Sequence, residues 1–237
     1  MHIPDGFLDS KTAAGMGAAA ATVIGLALSK VRALVTELGL APAMAGAGNG
    51  IKSLTGKAQR FVGHAGKTYL SKMAMVTSLV FATQMFNFPI ANGTSGHLLG
   101  GLFAALFLGP WGGALSITMV LLVQATLYAD GGLIVLGANI MNMAFFGCII
   151  SYFGYVLLKK TGLSDKICLS IAAWASVVFA SSACALELGM SGTYSLVDAL
   201  SAMISVHAVI GIGELLITLM LVSIMKNMLG WEEYRHE

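Results

Sequence analysis

Apolar residues gather into seven blocks separated by short polar or glycine-rich stretches. The blocks predict helices over about 12–30, 70–86, 97–109, 111–129, 133–158, 167–188 and 201–225. They are continuous runs of Ala, Val, Ile, Leu, Met and Phe without the strict alternation of a half-buried strand. Most approach the ~20 residues that a helix needs to cross the hydrocarbon of a bilayer. The third block, HLLGGLFAALFLG, is short for a crossing, and a tilted course or a start below the surface would accommodate it. Pro4, Gly6 and Asp9-Ser10 mark a turn-rich leader over 1–11, ending where the first apolar block begins. The expected fold is an all-α integral membrane protein of about seven transmembrane helices, forming one domain over 1–237.

Composition and charge sharpen this picture. The chain has 237 residues, of which 57% are apolar and only 10% charged. A soluble domain carries about a quarter charged residues, so lipid must be the main solvent here. The net charge of +2 points to no nucleic-acid partner, but the distribution of the basic residues is informative. With the N-terminus outside, the cytoplasmic loops and helix ends hold Lys30, Arg32, Lys52, Lys57, Arg60, Lys67, Lys72, Lys159, Lys160, Lys166, Lys226 and Arg235. Those are 12 of the 13 basic residues, and only Lys11 lies outside. That partition obeys the positive-inside rule and predicts N-out, C-in topology in a cell membrane.

Several classes of chemistry are disfavoured. Cys148, Cys168 and Cys184 are widely spaced in apolar surroundings and form no CxxC pair, so they read as small core residues. No GxxxxGK[ST] phosphate loop occurs, so the chain is not expected to hydrolyse ATP itself. The first ten residues hold two Asp and no Lys or Arg, unlike the basic start of a cleavable signal. The 31–69 stretch is expected to be a cytoplasmic connection, interfacial or mobile, whose basic residues suit an anionic membrane surface. The 14 methionines are scattered through apolar blocks and read as core filler.

The chemistry collects on the predicted outer face. Met1-His2 offers an α-amine, an amide nitrogen and an imidazole in succession. These close a five-membered and then a six-membered chelate ring, and with the amide deprotonated they form the tetragonal nitrogen field that suits Ni(II) or Cu(II). Alone the dipeptide is a weak signal, because many chains begin in this way. The outer loop NFPIANGTSGH strengthens it. Pro89, Gly93 and Gly96 keep that backbone irregular, which at membrane depth is tolerated only where the segment is buried in protein or lines a cavity. His97 then completes a set of four nitrogens with the Met1 amine, the His2 amide and the His2 ring. The bulk of His2 would also protect Met1 from removal.

Four segments, MHIPDGFLD, MFNFPIANGTSGHLLGG, GPWGGALSITMVLLVQATLYADGGLIVLGANIMNMA and HAVIGIGELLIT, together resemble the CbiM/NikM family. These are substrate-specific S-components of energy-coupling factor transporters for nickel or cobalt. The resemblance covers nearly the whole chain and departs mainly at 31–69. It implies Met1, His2 and His97 as metal ligands in a roughly planar field, with Ni2+ or Co2+ as transported cargo and no catalytic cofactor. It also implies a transmembrane scaffold subunit, a pair of ATP-hydrolysing subunits and often a small auxiliary membrane subunit. The GTSGH form, which brings Thr94 and Ser95 next to His97, looks more like the nickel branch.

Other polar residues have two open readings. Glu187, His207 and Glu214 lie within or near the last two spans, where ionisable groups usually face a bundle interior or a cavity. They either support ligand capture and proton release or make interhelical hydrogen bonds. The same choice stands for Gln84, Asn87, Gln124, Asn139 and Asn142, of which Asn87 and Asn139 are near enough to the outer loops to hold ligand rings or leader backbone. Asp5 and Asp130 either raise the local cation concentration or are turn residues. The expected function is high-affinity capture of a divalent metal ion within an ATP-driven importer, without enzymatic activity. A stand-alone secondary permease is the alternative, and an intramembrane metallo-enzyme the lesser one, since no HExxH pair exists.

Overall fold

The computed structural model describes residues 1–37, 64–89 and 95–230. Helix α1 spans Ser10–Glu37 and α2 spans His64–Gln84. A small antiparallel hairpin follows, with β1 at Asn87–Pro89 and β2 at Ser95–His97. Then come α3 (Gly101–Leu127), α4 (Leu136–Lys159), α5 (Asp165–Met190) and α6 (Leu196–Leu229). Helices α1 and α2 extend into the predicted 31–69 connection from both sides, and the rest of that segment lies outside the described residues.

Among the described residues five helices, α1, α3, α4, α5 and α6, are long and apolar enough to cross a membrane. The predicted span over 70–86 does form most of α2, but Lys72, Ser71, Thr77, Ser78, Thr83 and Gln84 make that helix the least apolar of the set. Asp9 starts α1 by accepting hydrogen bonds from the N–H of Lys11 and of Thr12, at 2.9 and 3.2 Å. Ala13, Ala20 and Ala27 are buried along α1, seven residues apart and therefore on one stripe. This small-residue stripe lets α1 approach α4 closely. A Cβ added at Gly137 would stand 2.5 Å from the Cα of Gly17.

Helix α3 is the centre of the molecule and is apolar all round, as a buried helix should be. A straight helix of 27 residues separates its ends by about 40 Å. Here the ends meet. His97, four residues before α3, stacks on His2 at 4.7 Å between ring centroids, and Asp130, three residues after it, lies 3.7 Å from the same His2 ring. The helix folds back at Gly109, whose φ of 76° and ψ of 162° break the helical course beside Pro110. The two arms, 101–108 and 110–127, pack on each other so closely that a Cβ at Gly113 would stand 2.8 Å from the backbone nitrogen of Ala105. Tyr69 donates to the Leu108 carbonyl (3.1 Å) and Gln84 to the Leu99 carbonyl (2.8 Å), so α2 runs beside the first arm.

Helices α5 and α6 form an antiparallel hairpin, tied where Trp174 Nε1 donates to the Ala208 carbonyl at 3.0 Å. Ser195 caps α6 by accepting from the N–H of Asp198. Helix α4 carries a π-helical run at Met141–Ile150, a local widening often found at functional sites. The three cysteines are buried and unbridged, as small core residues.

Candidate metal centre

Sequence and fold cooperate to bury the leader. Met1, His2 and Ile3 have almost no exposed surface. Asn139, on the first turns of α4, grips the Ile3 backbone from both sides: its Oδ1 accepts from Ile3 N–H at 2.8 Å and its Nδ2 donates to Ile3 O at 3.1 Å. The Gly132 N–H also donates to Ile3 O, at 2.9 Å. Two residues on, the Asp5 carboxylate accepts from the N–H groups of Leu133, Ile134 and Val135 at 3.1, 2.8 and 3.4 Å. These donors stand at the start of α4, where unsatisfied N–H groups and the helix dipole favour a negative charge. Asp5 is thus a latch for the leader. Thr193 adds a hydrogen bond from its hydroxyl to the Phe7 carbonyl.

This latch sets the His2 ring between Asp130 and His97. Asp130 Oδ2 stands 3.7 Å from His2 Nε2, and on the other side the rings of His2 and His97 meet at an angle of 37°. Gly131, with φ +86°, makes the room, since a Cβ there would stand 2.6 Å from His2 Nδ1. His97 Nδ1 donates to the carbonyl of Leu98 at 2.7 Å, which leaves its Nε2 as the nitrogen with a lone pair. That atom, like His2 Nε2, is buried with no hydrogen-bond partner among the described residues.

Electrostatics favour the uncharged forms of the amine and of both imidazoles. Burial pushes the Met1 amine down from 8.0 to about 6. Burial, and then the neighbouring amine, push His2 from 6.5 down to about 3. His97 is held well below 6.5 by burial, by His2, by the amine and, more weakly, by His207. A buried cluster that rejects protons while offering lone pairs is suited to a cation that brings its own bonds.

The other candidates fall around this centre. Asn139 holds the leader backbone rather than a ring. Asn142 Nδ2 donates to Glu187 Oε2 at 2.8 Å, while Asn142 Oδ1 and Glu187 Oε1 have no partner among the described residues. His207 is fully buried, with Nδ1 on the Met203 carbonyl at 2.7 Å and Nε2 unpartnered among the described residues. Asn87 stands opposite His97 in the β-hairpin register and Ser95 opposite Pro89, while Thr94 lies outside the described residues. Sequence reasoning undervalued Asp130 and Asp5. Both precede glycine, a pattern that reads locally as a turn, and only their partners from the distant leader or loop reveal more. Among the described residues no three His, Cys, Asp or Glu side chains cluster as a conventional metal site.

A helical membrane bundle that buries its own N-terminus beside two unprotonated imidazoles has the makings of a transition-metal carrier. The chain belongs to the CbiM family, described as the cobalt uptake substrate-specific transmembrane region, whose profile matches residues 2–229. It is 32% identical over 225 residues to a putative fused nickel transport protein NikMN of Archaeoglobus fulgidus, an alignment covering 94% of this chain and 64% of that one. It is 34% identical over 220 residues to a putative metal transport protein of Haloquadratum walsbyi, covering 92% and 86%. The chain therefore spans just under two thirds of the fused relative. A crystal structure of a truncated transition metal transporter superposes with a TM-score of 0.79 at 32% identity, over 96% of this chain and 99% of that one.

Proposed function

We propose that this protein captures one divalent metal ion in a planar field of four nitrogens: the Met1 amine, the His2 amide, His2 Nδ1 and His97 Nε2. The observation that carries the reading is the meeting of the two imidazoles at 4.7 Å beside a buried amine. The chelate geometry requires Nδ1 of His2, which turns its Nε2–H toward Asp130. Asp130 then orients the His2 ring and the Leu98 carbonyl orients His97, the arrangement in which a ligand imidazole donates its other N–H to an acceptor. Glu187, Asn142 and His207 line the surroundings and assist proton release.

Planar nitrogen ligation favours nickel over cobalt as cargo. The protein works as the substrate-binding subunit of an ATP-driven importer of the energy-coupling factor type, beside a transmembrane scaffold subunit, ATP-hydrolysing subunits and a small auxiliary subunit. The whole chain acts as one transmembrane domain in a prokaryotic cell membrane, with 1–11 as the metal-binding leader. Counting the two arms of α3 separately, and α2, gives seven crossings with the N-terminus outside. The meeting of Lys159, Asp165 and Lys226 at the end remote from the leader supports that orientation.

The test is nickel affinity by equilibrium dialysis for the native chain and for one lengthened by a single N-terminal residue. The extension keeps every side chain but removes the α-amine from its register. Collapse of binding supports the terminal chelate; unchanged affinity overturns it.

A further inference from the structure

Glu214 lies in the middle of α6, buried, and 114 residues from the backbone it touches. Its two carboxylate oxygens accept from the N–H of Leu99 at 2.7 Å and of Gly100 at 2.8 Å. These groups belong to the turn between β2 and α3. Gly100 occupies the N-cap position of α3 in a left-handed conformation and has no side chain with which to cap the helix. The cap is supplied instead from another helix. Gln84 takes the Leu99 carbonyl from α2. Leu98 packs toward Gly213, where an added Cβ would be 3.4 Å from its Cδ2.

Every residue between His97 and α3 is therefore held. Leu98 O binds the His97 ring, Leu99 is gripped on both faces of its peptide, and Gly100 shares the Glu214 fork. A carboxylate at membrane depth is costly unless paired, and this one spends both oxygens on backbone two and three residues from a proposed ligand. We infer that Glu214 is a positioning residue for His97: by clamping Leu99 and Gly100 it sets the direction of His97 Nε2 and makes the fourth nitrogen of the centre depend on α6. The inference rests on the metal-capture reading above and assigns its rigidity to one distant side chain. Glutamine at 214 keeps one acceptor but turns an NH2 toward the second N–H, so it retains half of the clamp. Alanine leaves two buried N–H groups without a partner.

The experiment is a nickel titration of the purified full chain, read by equilibrium dialysis and by the visible absorption of the bound ion. The proteins are the native chain, H97A, E214A, E214Q and H97A/E214A. Loss of a group that holds a ligand weakens binding by about 10–100-fold. E214A is expected to lose that much and to show the absorption of H97A, E214Q to fall between E214A and the native protein, and the double variant to bind no more weakly than H97A. Such non-additivity is the mark of two residues acting through one contact. Native affinity and absorption in both Glu214 variants, or losses that multiply in the double variant, would overturn the proposal. Where E214A fails to fold, E214Q and H97A/E214Q decide the same question. Unchanged affinity in H97A alone overturns the metal-capture reading itself, and this proposal with it.

Discussion

The two ends of the bundle handle their polar groups in opposite ways. At the end remote from the leader, Asp165 is engaged by Lys159 at 2.5 Å, Tyr155 at 2.7 Å and Lys226 at 3.6 Å, which ties α4, α5 and α6 together. The ion-pair partners are more than a third exposed and mutually satisfied. At the leader end, His97 Nε2, His207 Nε2, Asn142 Oδ1 and Glu187 Oε1 are buried with no hydrogen-bond partner among the described residues. An unsatisfied buried polar atom costs about 1–3 kcal/mol, and folded proteins carry few of them. The first end closes its valences to hold helices together. The second keeps them open, and open valences in a proton-rejecting pocket are what a cation needs.

The sharpest way to break this contrast is pH. The amine is neutral above about 6, because burial lowers it from 8.0, and His2 stays neutral down to about 3. Metal binding then releases one proton, from the His2 amide, above pH 6 and two below it. Linkage makes nickel affinity fall about tenfold per unit from pH 8 to 6 and toward a hundredfold per unit below. Competition dialysis across pH 8 to 5 should show that change of slope, and a flat profile would sink the amide–amine chelate.

Gly131→Ala attacks the room around His2. The φ of +86° disfavours any side chain, and the new Cβ would press on His2 Nδ1 at 2.6 Å. A strain of the order of 2 kcal/mol on the chelating ring corresponds to a loss near thirtyfold in nickel affinity. Isothermal titration would detect it, and native affinity would show that the ring is not held there.

Asp130→Asn keeps the shape but weakens the acceptor behind His2. The expected loss is about tenfold, the lower end for removing a partner of a metal-bound imidazole. Competition with a chelator of known affinity is sensitive enough to measure it. The smallest effect belongs to the other end. Asp165→Asn should leave nickel affinity unchanged and cost about 0–1 kcal/mol of stability, since its ion pairs are partly exposed. Thermal unfolding in detergent, with nickel affinity measured alongside, checks both halves of that statement. A clear affinity loss would mean that the two ends are not independent.

Much of this was legible in the chain. The blocks at 12–30, 167–188 and 201–225 lie within α1, α5 and α6, and the block at 133–158 forms α4 apart from its first three residues, because a long apolar run in lipid has little choice but a helix. The break at Pro110 was legible too, since proline after a glycine cannot continue the preceding helix. The leader motif stood out as a candidate because its chelate is local chemistry, and His97 because an irregular loop precedes it. Less legible was Asp5, whose Pro-Asp-Gly context reads as a turn until Leu133, Ile134 and Val135 are seen to donate to it. Glu214 stood open between support of ligand capture and an interhelical hydrogen bond, and nothing in its own helix points to Leu99 and Gly100.

The sequence by itself determined the solvent, the helices and the kind of nitrogen donors present, since composition and short-range bonding decide these. Tertiary structure alone decided that His2 and His97 face each other and which nitrogen of His97 is left open. It also decided which distant carboxylates reach His2 and the turn after His97. The reason is physical. Hydrophobic periodicity carries no record of long-range partners, whereas an imidazole's open nitrogen is set by what bonds the other one, and a helix start without its own cap must find an acceptor elsewhere in the fold.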